Sequence, residues 1–229
     1  MDLENWRQKA FILAMFASVQ SFILIPAAMV FYTGGTAEDP TNPGFSIWNN
    51  FLSDLGRLTA YSGLPNLISS LLFNISLFLM GALLIPYFLA MPYFFKDSIE
   101  TRVFSIIGSF IGIILAFTLI GGSLTPSDVF RPIHLMFGSI AFISTLPMVI
   151  FYLFAIFTNK NYPNRYALIF MVLGVVVLTF LIWIILGGDL GELPKIFSTG
   201  QKAVVFSMQV CFLIEAYGAW KLEKSWNNH

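Results

Sequence analysis

Six stretches of the chain, residues 10–32, 67–90, 103–124, 133–157, 166–186 and 203–220, are apolar on every face. Each is close to the roughly 20 residues of helix that a bilayer core requires. Backbone amides find no partner in lipid, so such runs must bond internally as helices. A barrel would need alternating apolar and polar residues, which these runs lack. Composition agrees: of 229 residues 57% are hydrophobic and 10% charged, against about 25% charged in soluble domains. The 12 Lys and Arg balance the 12 Asp and Glu, so the chain has no basic surface for nucleic acid. A single cysteine, Cys211, excludes an internal disulfide and a cysteine-based metal site. The expected fold is all-α: one domain over residues 1–229, a six-helix transmembrane bundle.

The first stretch reads as a true span. It is too long for a signal h-region, the residues ahead of it have no net positive charge, and no A-x-A site follows. Six spans put both termini on one side. Arg7, Lys9, Lys96, Arg102, Lys160, Arg165, Lys221 and Lys224 then share that side, and Arg57, Arg131, Lys195 and Lys202 lie opposite. The positive-inside rule makes the termini cytoplasmic, in a multi-pass protein of the cell membrane. Tyr32, Tyr93, Tyr166 and Trp220 at span ends suit interface anchoring.

The outer side collects the polar chemistry. In the long first loop, Trp48, Phe51, Leu52, Leu55 and Leu58 recur with helical period. Asn50, Asp54 and Arg57 fall on the opposite face, with Ser53 adjacent. Residues 45–58 are therefore expected to form a short amphipathic helix on the outer end of the bundle. Asp54 and Arg57 read either as a local i, i+3 pair or as ligand groups. In the third-to-fourth connection, Thr125, Pro126 and Asp128 resemble a helix cap, with His134 in the first turn of the fourth span. Asp128 reads as a capping acid or a site residue, and His134 as a structural or an acid–base group. The fifth-to-sixth connection adds Asp189, Glu192 and Lys195. Each odd-numbered span is followed by a double glycine, read as a helix end.

Within the spans, Asn66, Ser70 and Asn74 form a stripe at i, i+4, i+8 on the second, and Gln20, Ser21 and Gln209 lie mid-span. Such residues either bond neighbouring helices or line a cavity. Together they suggest an outward-opening polar cavity beneath the loop helix. Glu215, the one carboxylate within the six stretches, is expected to reach Lys221 or an inner-loop cation.

No phosphate-binding loop, dinucleotide fingerprint or bis-histidine pair occurs, so no cofactor is expected, and one usable histidine argues against zinc. A carboxylate site for Mg²⁺ or Ca²⁺ would draw on Asp54, Asp128 and Asp189. A Ser-His-Asp set would draw on Ser53 or Ser127, His134, and Asp54 or Asp128, without a nucleophile elbow to support it. The residues fit recognition of an amphiphile best. Arg57 and Arg131 would hold a phosphate headgroup, Asn50, Asp54 and Asp128 would accept from hydroxyls or an amine, phenylalanine-rich walls would take chains, and Ser53 and Asn74 are further ligand-binding candidates. Asp54, Asp128 and His134 are the candidate catalytic groups. A transporter using Gln20, Asn74, Gln209 and Glu215 is one alternative. An accessory subunit docking through Trp48 and Phe51 is another.

The run Asn50-Phe-Leu-Ser-Asp-Leu-Gly-Arg57 resembles the signature of the domain-of-unknown-function 998 family of six-span membrane proteins. So do Phe73-Asn74 and the spacing Gly122…Pro126-Ser-Asp128…His134. The resemblance spans residues 10–220 and implies a prokaryotic cell membrane. The family is also distantly similar to six-span proteins that remodel GPI-anchor lipids. It has no established activity, so it implies matching positions only: Ser53, Asp54, Gly56, Asp128 and His134. Expected partners are membrane lipids, with a homo-oligomer or a larger membrane complex as the protein assembly.

Overall fold

The computed structural model describes residues 5–186 and 193–226. Six helices cross it: α1 (Trp6–Phe31), α2 (Leu67–Ala90), α3 (Ile99–Ser123), α4 (Arg131–Thr158), α5 (Arg165–Leu186) and α6 (Leu193–Trp226). All six are long and apolar enough to span a membrane. The protein is an all-helical, multi-pass membrane protein. Large apolar side chains such as Ile23, Val30, Phe110 and Val175 cover its outside, as lipid contact demands.

Each helix packs on its neighbours in sequence, and α6 returns to α1, so the bundle closes as a ring. Small residues let the helices approach. Gly108 lies under Tyr152 of α4, Gly112 under Phe88 of α2, and Gly81 against the Ala116 backbone of α3. The start of α1 and the end of α6 lie at one end of the ring, where Arg7 Nη2 meets Glu223 Oε1 at 2.7 Å and Phe94 packs on Trp226. This is the terminal end. The loop end, opposite, carries the connection between α1 and α2.

The helices outrun the apolar stretches. α6 begins well before residue 203 because its first turns pack on the loop rather than on lipid. α1 ends at Phe31 with Tyr32 extended, and Gly34 and Gly35 turn the chain only beyond it, at φ of 101° and 85°, which suits glycine. Gly121 and Gly122 instead lie inside α3. The pair Gly187–Gly188 lies outside the described residues.

The loop helix is shorter than expected. Only Leu52–Gly56 is helical, as a single 3₁₀ turn. Leu52 and Leu55 are buried as the period predicts, but Trp48 and Leu58 point outward. The physical reason is competition. Ser69, Ser70 and Asn74 of α2 bond the carbonyls of Leu55 and Gly56, so the chain never needs its own helical bonds there.

Candidate functional site

The loop is held from two sides. Asn66, at the start of α2, accepts from the Thr33 N–H through Oδ1 (3.3 Å). Its Nδ2 donates to Leu55 O (3.1 Å) and Arg57 O (2.9 Å). Ser70 and Asn74 both donate to Gly56 O. A Cβ on Gly56 would sit 2.8 Å from Asn74 Oδ1, so the S-D-L-G run needs its glycine to dock on α2. From the other side, Gln201 Oε1 accepts from the Leu52 N–H (2.8 Å). Ser198 Oγ donates to Trp48 O, and the buried Lys202 ammonium donates to Asn50 O and Ser198 O.

Asp128 completes the mounting. Its Oδ1 accepts from Leu58 N (3.1 Å) and its Oδ2 from Thr59 N (2.9 Å). It does not cap α4, which starts at Arg131 with Phe130 at the N-cap. Thr125 likewise turns back, donating to Gly121 O at the end of α3. The expected cap is a clamp between two loops. Two backbone N–H groups offered by Leu58 and Thr59 outweigh one helix-terminal amide for a carboxylate.

A cavity of about 410 Å³ opens between this mounted loop and the loop-end halves of α4, α5 and α6. Ser53, Asp54, Arg57, Arg131 and His134 all border it, and so do Tyr61, Ser127 and Gln201. Arg57 is preset. Its Nε donates to Thr59 O (3.0 Å) and its guanidinium lies 4.0 Å over the Tyr61 ring. Among the described residues neither Arg57 nor Arg131 has a salt-bridge partner, and the single salt bridge is Arg7–Glu223. The i, i+3 pair is therefore not made. Asp54 is buried and takes both of its bonds on Oδ2, from Asn50 Nδ2 (3.1 Å) and Phe51 N (2.8 Å). Burial pushes its carboxyl above the usual range, against the pull of those two donors, Arg57 and Lys202. His134 Nδ1 lies 2.7 Å from Thr125 O, a bond only an N–H can make there. A neutral ring then keeps Nε2 as its lone-pair nitrogen. The histidine is oriented by a backbone carbonyl, not by Asp54 or Asp128 as a Ser-His-Asp set requires.

The remaining sequence candidates lie elsewhere. Asn50 is fully buried behind Asp54, bonded to it and to Gly35 O. Asn74 borders a separate groove with Leu67, Leu71 and Phe78. Asp54 and Asp128 are each committed to loop bonds, and Asp189 and Glu192 lie outside the described residues. Among the described residues no three metal-binding side chains gather. Glu215 does not reach Lys221. It is fully buried near the terminal end, with Tyr87 and Tyr162 as polar neighbours.

The family described as "Protein of unknown function (DUF998)" matches residues 25–215. The chain belongs to the DUF998 family. No curated protein and no solved structure matches it. In this DUF998 chain the stretch Asn50–Arg57 divides its labour: Asn50, Leu52, Leu55 and Gly56 seat the loop, while Ser53, Asp54 and Arg57 border the cavity. Sequence reasoning passed over Gln201 and Lys202. Their signal was Ser198, Gln201 and Lys202 at i, i+3, i+4, a polar face at the start of an otherwise apolar helix.

Proposed function

We propose that this protein binds a membrane amphiphile through an anionic, phosphate-bearing headgroup held between Arg57 and Arg131. The supporting observation is the meeting of two arginines, without carboxylate partners among the described residues, in one cavity of about 410 Å³. A fixed, planar guanidinium suits two parallel bonds to phosphate oxygens. Stacking on Tyr61 fixes Arg57 before any ligand arrives, which lowers the ordering cost of binding. Ser53, Ser127 and Asp54 are placed to meet headgroup hydroxyls or an amine. Where lipid modification follows binding, His134 Nε2 is the cavity group set to take a proton.

The cation count of the connections supports cytoplasmic termini in a cell membrane, with the cavity at the outer leaflet. A transport path draws less support, since the Gln20 amide is committed to Ala17, Ser21 and Ser76, all buried. Exposed Ile47 and Trp48 are where a protein partner or a second copy would rest.

The test is titration of the purified protein with phosphatidic acid, read by native mass spectrometry. Arg57→Ala and Arg131→Ala should each weaken binding at least tenfold, about 1.4 kcal/mol. Wild-type affinity in both variants would sink the reading. So would a wild-type protein that carries lipids only in their bulk proportions.

A further inference from the structure

One side of the cavity is unlike the rest of the bundle. At the loop end α1 keeps Ile25 and Ala28 buried, α2 keeps Ser69, Ser70 and Phe73, and α3 keeps Thr118, Gly122 and Ser123. On α4 no residue from 131 to 140 is buried, and on α5 none from 181 to 186. Helices in a closed ring should bury one stripe along their whole length. These two stop doing so level with the cavity, whose walls there are Leu135, Gly138, Ser139, Phe142, Phe180 and Ile184.

The space beside them is open. A Cβ built on Gly138 meets nothing within 4 Å. Leu135 and Ile184, at the rim, are 56% and 44% exposed. Deeper in, Phe142 meets Phe180 edge-on, with 5.0 Å between ring centroids. A narrower void of about 90 Å³ shares Ser53, His134, Gly138, Phe142 and Gln201 with the cavity, then runs on among Ile25, Leu77 and Met208. Charged groups of the loop and of the first turn of α4 therefore mark one part of the lining, and hydrocarbon deeper along α4 and α5 the other.

We infer that the ligand is a lipid that enters sideways from the bilayer between α4 and α5, resting its hydrocarbon chain against Gly138, Phe142 and Phe180. This rests on the headgroup reading above and adds the chain. A soluble phosphate ester would gain nothing from a wall of glycine and phenylalanine that opens toward lipid. An amphiphile matches both parts of the lining at once and reaches them without leaving the membrane.

Three measurements on the full chain in phosphatidylcholine vesicles test it. The probe is phosphatidic acid with a photoreactive diazirine in its acyl chain. Illumination should label α4 and α5 near Phe142 and Phe180, and excess unlabelled phosphatidic acid should suppress that labelling. Gly138→Phe should cut both labelling and retained phosphatidic acid at least tenfold. Glycerol 3-phosphate, the headgroup without chains, should compete at least a hundredfold less well. Competed label on α1–α3, or full binding by Gly138→Phe while Arg57→Ala loses the lipid, would overturn the chain assignment and leave the headgroup reading standing. Equal competition by glycerol 3-phosphate would identify a soluble ligand and overturn it as well. Unchanged lipid binding in Arg57→Ala would instead remove the headgroup reading.

Discussion

The loop between α1 and α2 rests on two walls of opposite character. On the α2 side, Asn66, Ser69, Ser70 and Asn74 bond its backbone at close range, and Gly56 leaves no room for even a methyl group. On the α4–α5 side the helices offer Gly138, Ser139, Phe142 and Phe180 and leave a cavity. The polar residues of α2 mark the wall that is closed. Their work is to satisfy carbonyls that would otherwise be buried without partners, a requirement stricter near lipid than in water. The open wall is marked by what its sequence lacks: bulk at Gly138 and burial along residues 131–140.

The contrast can be broken most forcefully at Asn66. Asn66→Ala removes three hydrogen bonds, strands the Thr33 N–H and the Arg57 carbonyl, and leaves Leu55 O with Ser69 Oγ alone. Loss on the order of 3 kcal/mol is expected, at about 1 kcal/mol or more per unsatisfied buried group. Thermal unfolding in detergent checks it, and a loss under about 1 kcal/mol would show that the α2 wall is not what holds the loop.

Asp128→Ala should cost less, about 1–2 kcal/mol, because water reaches the half-buried site and replaces part of the two lost bonds. It should also weaken phosphatidic acid binding, since Leu58 and Thr59 follow Arg57 directly. Unfolding and titration on the same sample measure both. An unchanged affinity would separate the clamp from the cavity.

Asp54 sharpens the comparison through pH. Its carboxyl is held above the usual range in the folded protein. Folding therefore takes up a proton there. The stability this contributes is present below the unfolded value of about 4 and is lost as pH rises through the raised folded value. Asp54→Asn keeps an oxygen for the Phe51 N–H and removes the titration. The decline of melting temperature with pH over that window should flatten, and a wild-type slope in the variant would assign the titration elsewhere.

Trp48→Ala should change least, under about 0.5 kcal/mol, because the ring is 65% exposed. Altered assembly on a native gel, without altered melting, would make this the face that receives a protein partner.

The six spans were legible because hydropathy reports lipid contact directly, and the boundaries of α2 coincide with the apolar run. The ends of α6 were not, since its first turns touch the loop and carry loop-binding residues instead of apolar ones. In the site, Ser53, Asp54, Arg57, Arg131 and His134 converge as their shared location suggested. Of the two readings of Asp128, the helix cap fails, because spacing along the chain cannot reveal two amides arriving from residues 58 and 59. Gly138 and Phe142 were invisible for a plainer reason: among so many apolar residues, nothing local distinguishes a wall from a core.

The bonds from α6 to the loop have a consequence for how the protein is made. Leu52 and Gln201 are separated by 149 positions, and Asn50 and Lys202 by 152. At roughly 5–20 residues per second, the ribosome delivers the second partner about 7–30 s after the first. During that interval the early helices are already inserted while their loop has only half its fastenings. A chain truncated before α6 would keep the loop in that half-fastened state permanently.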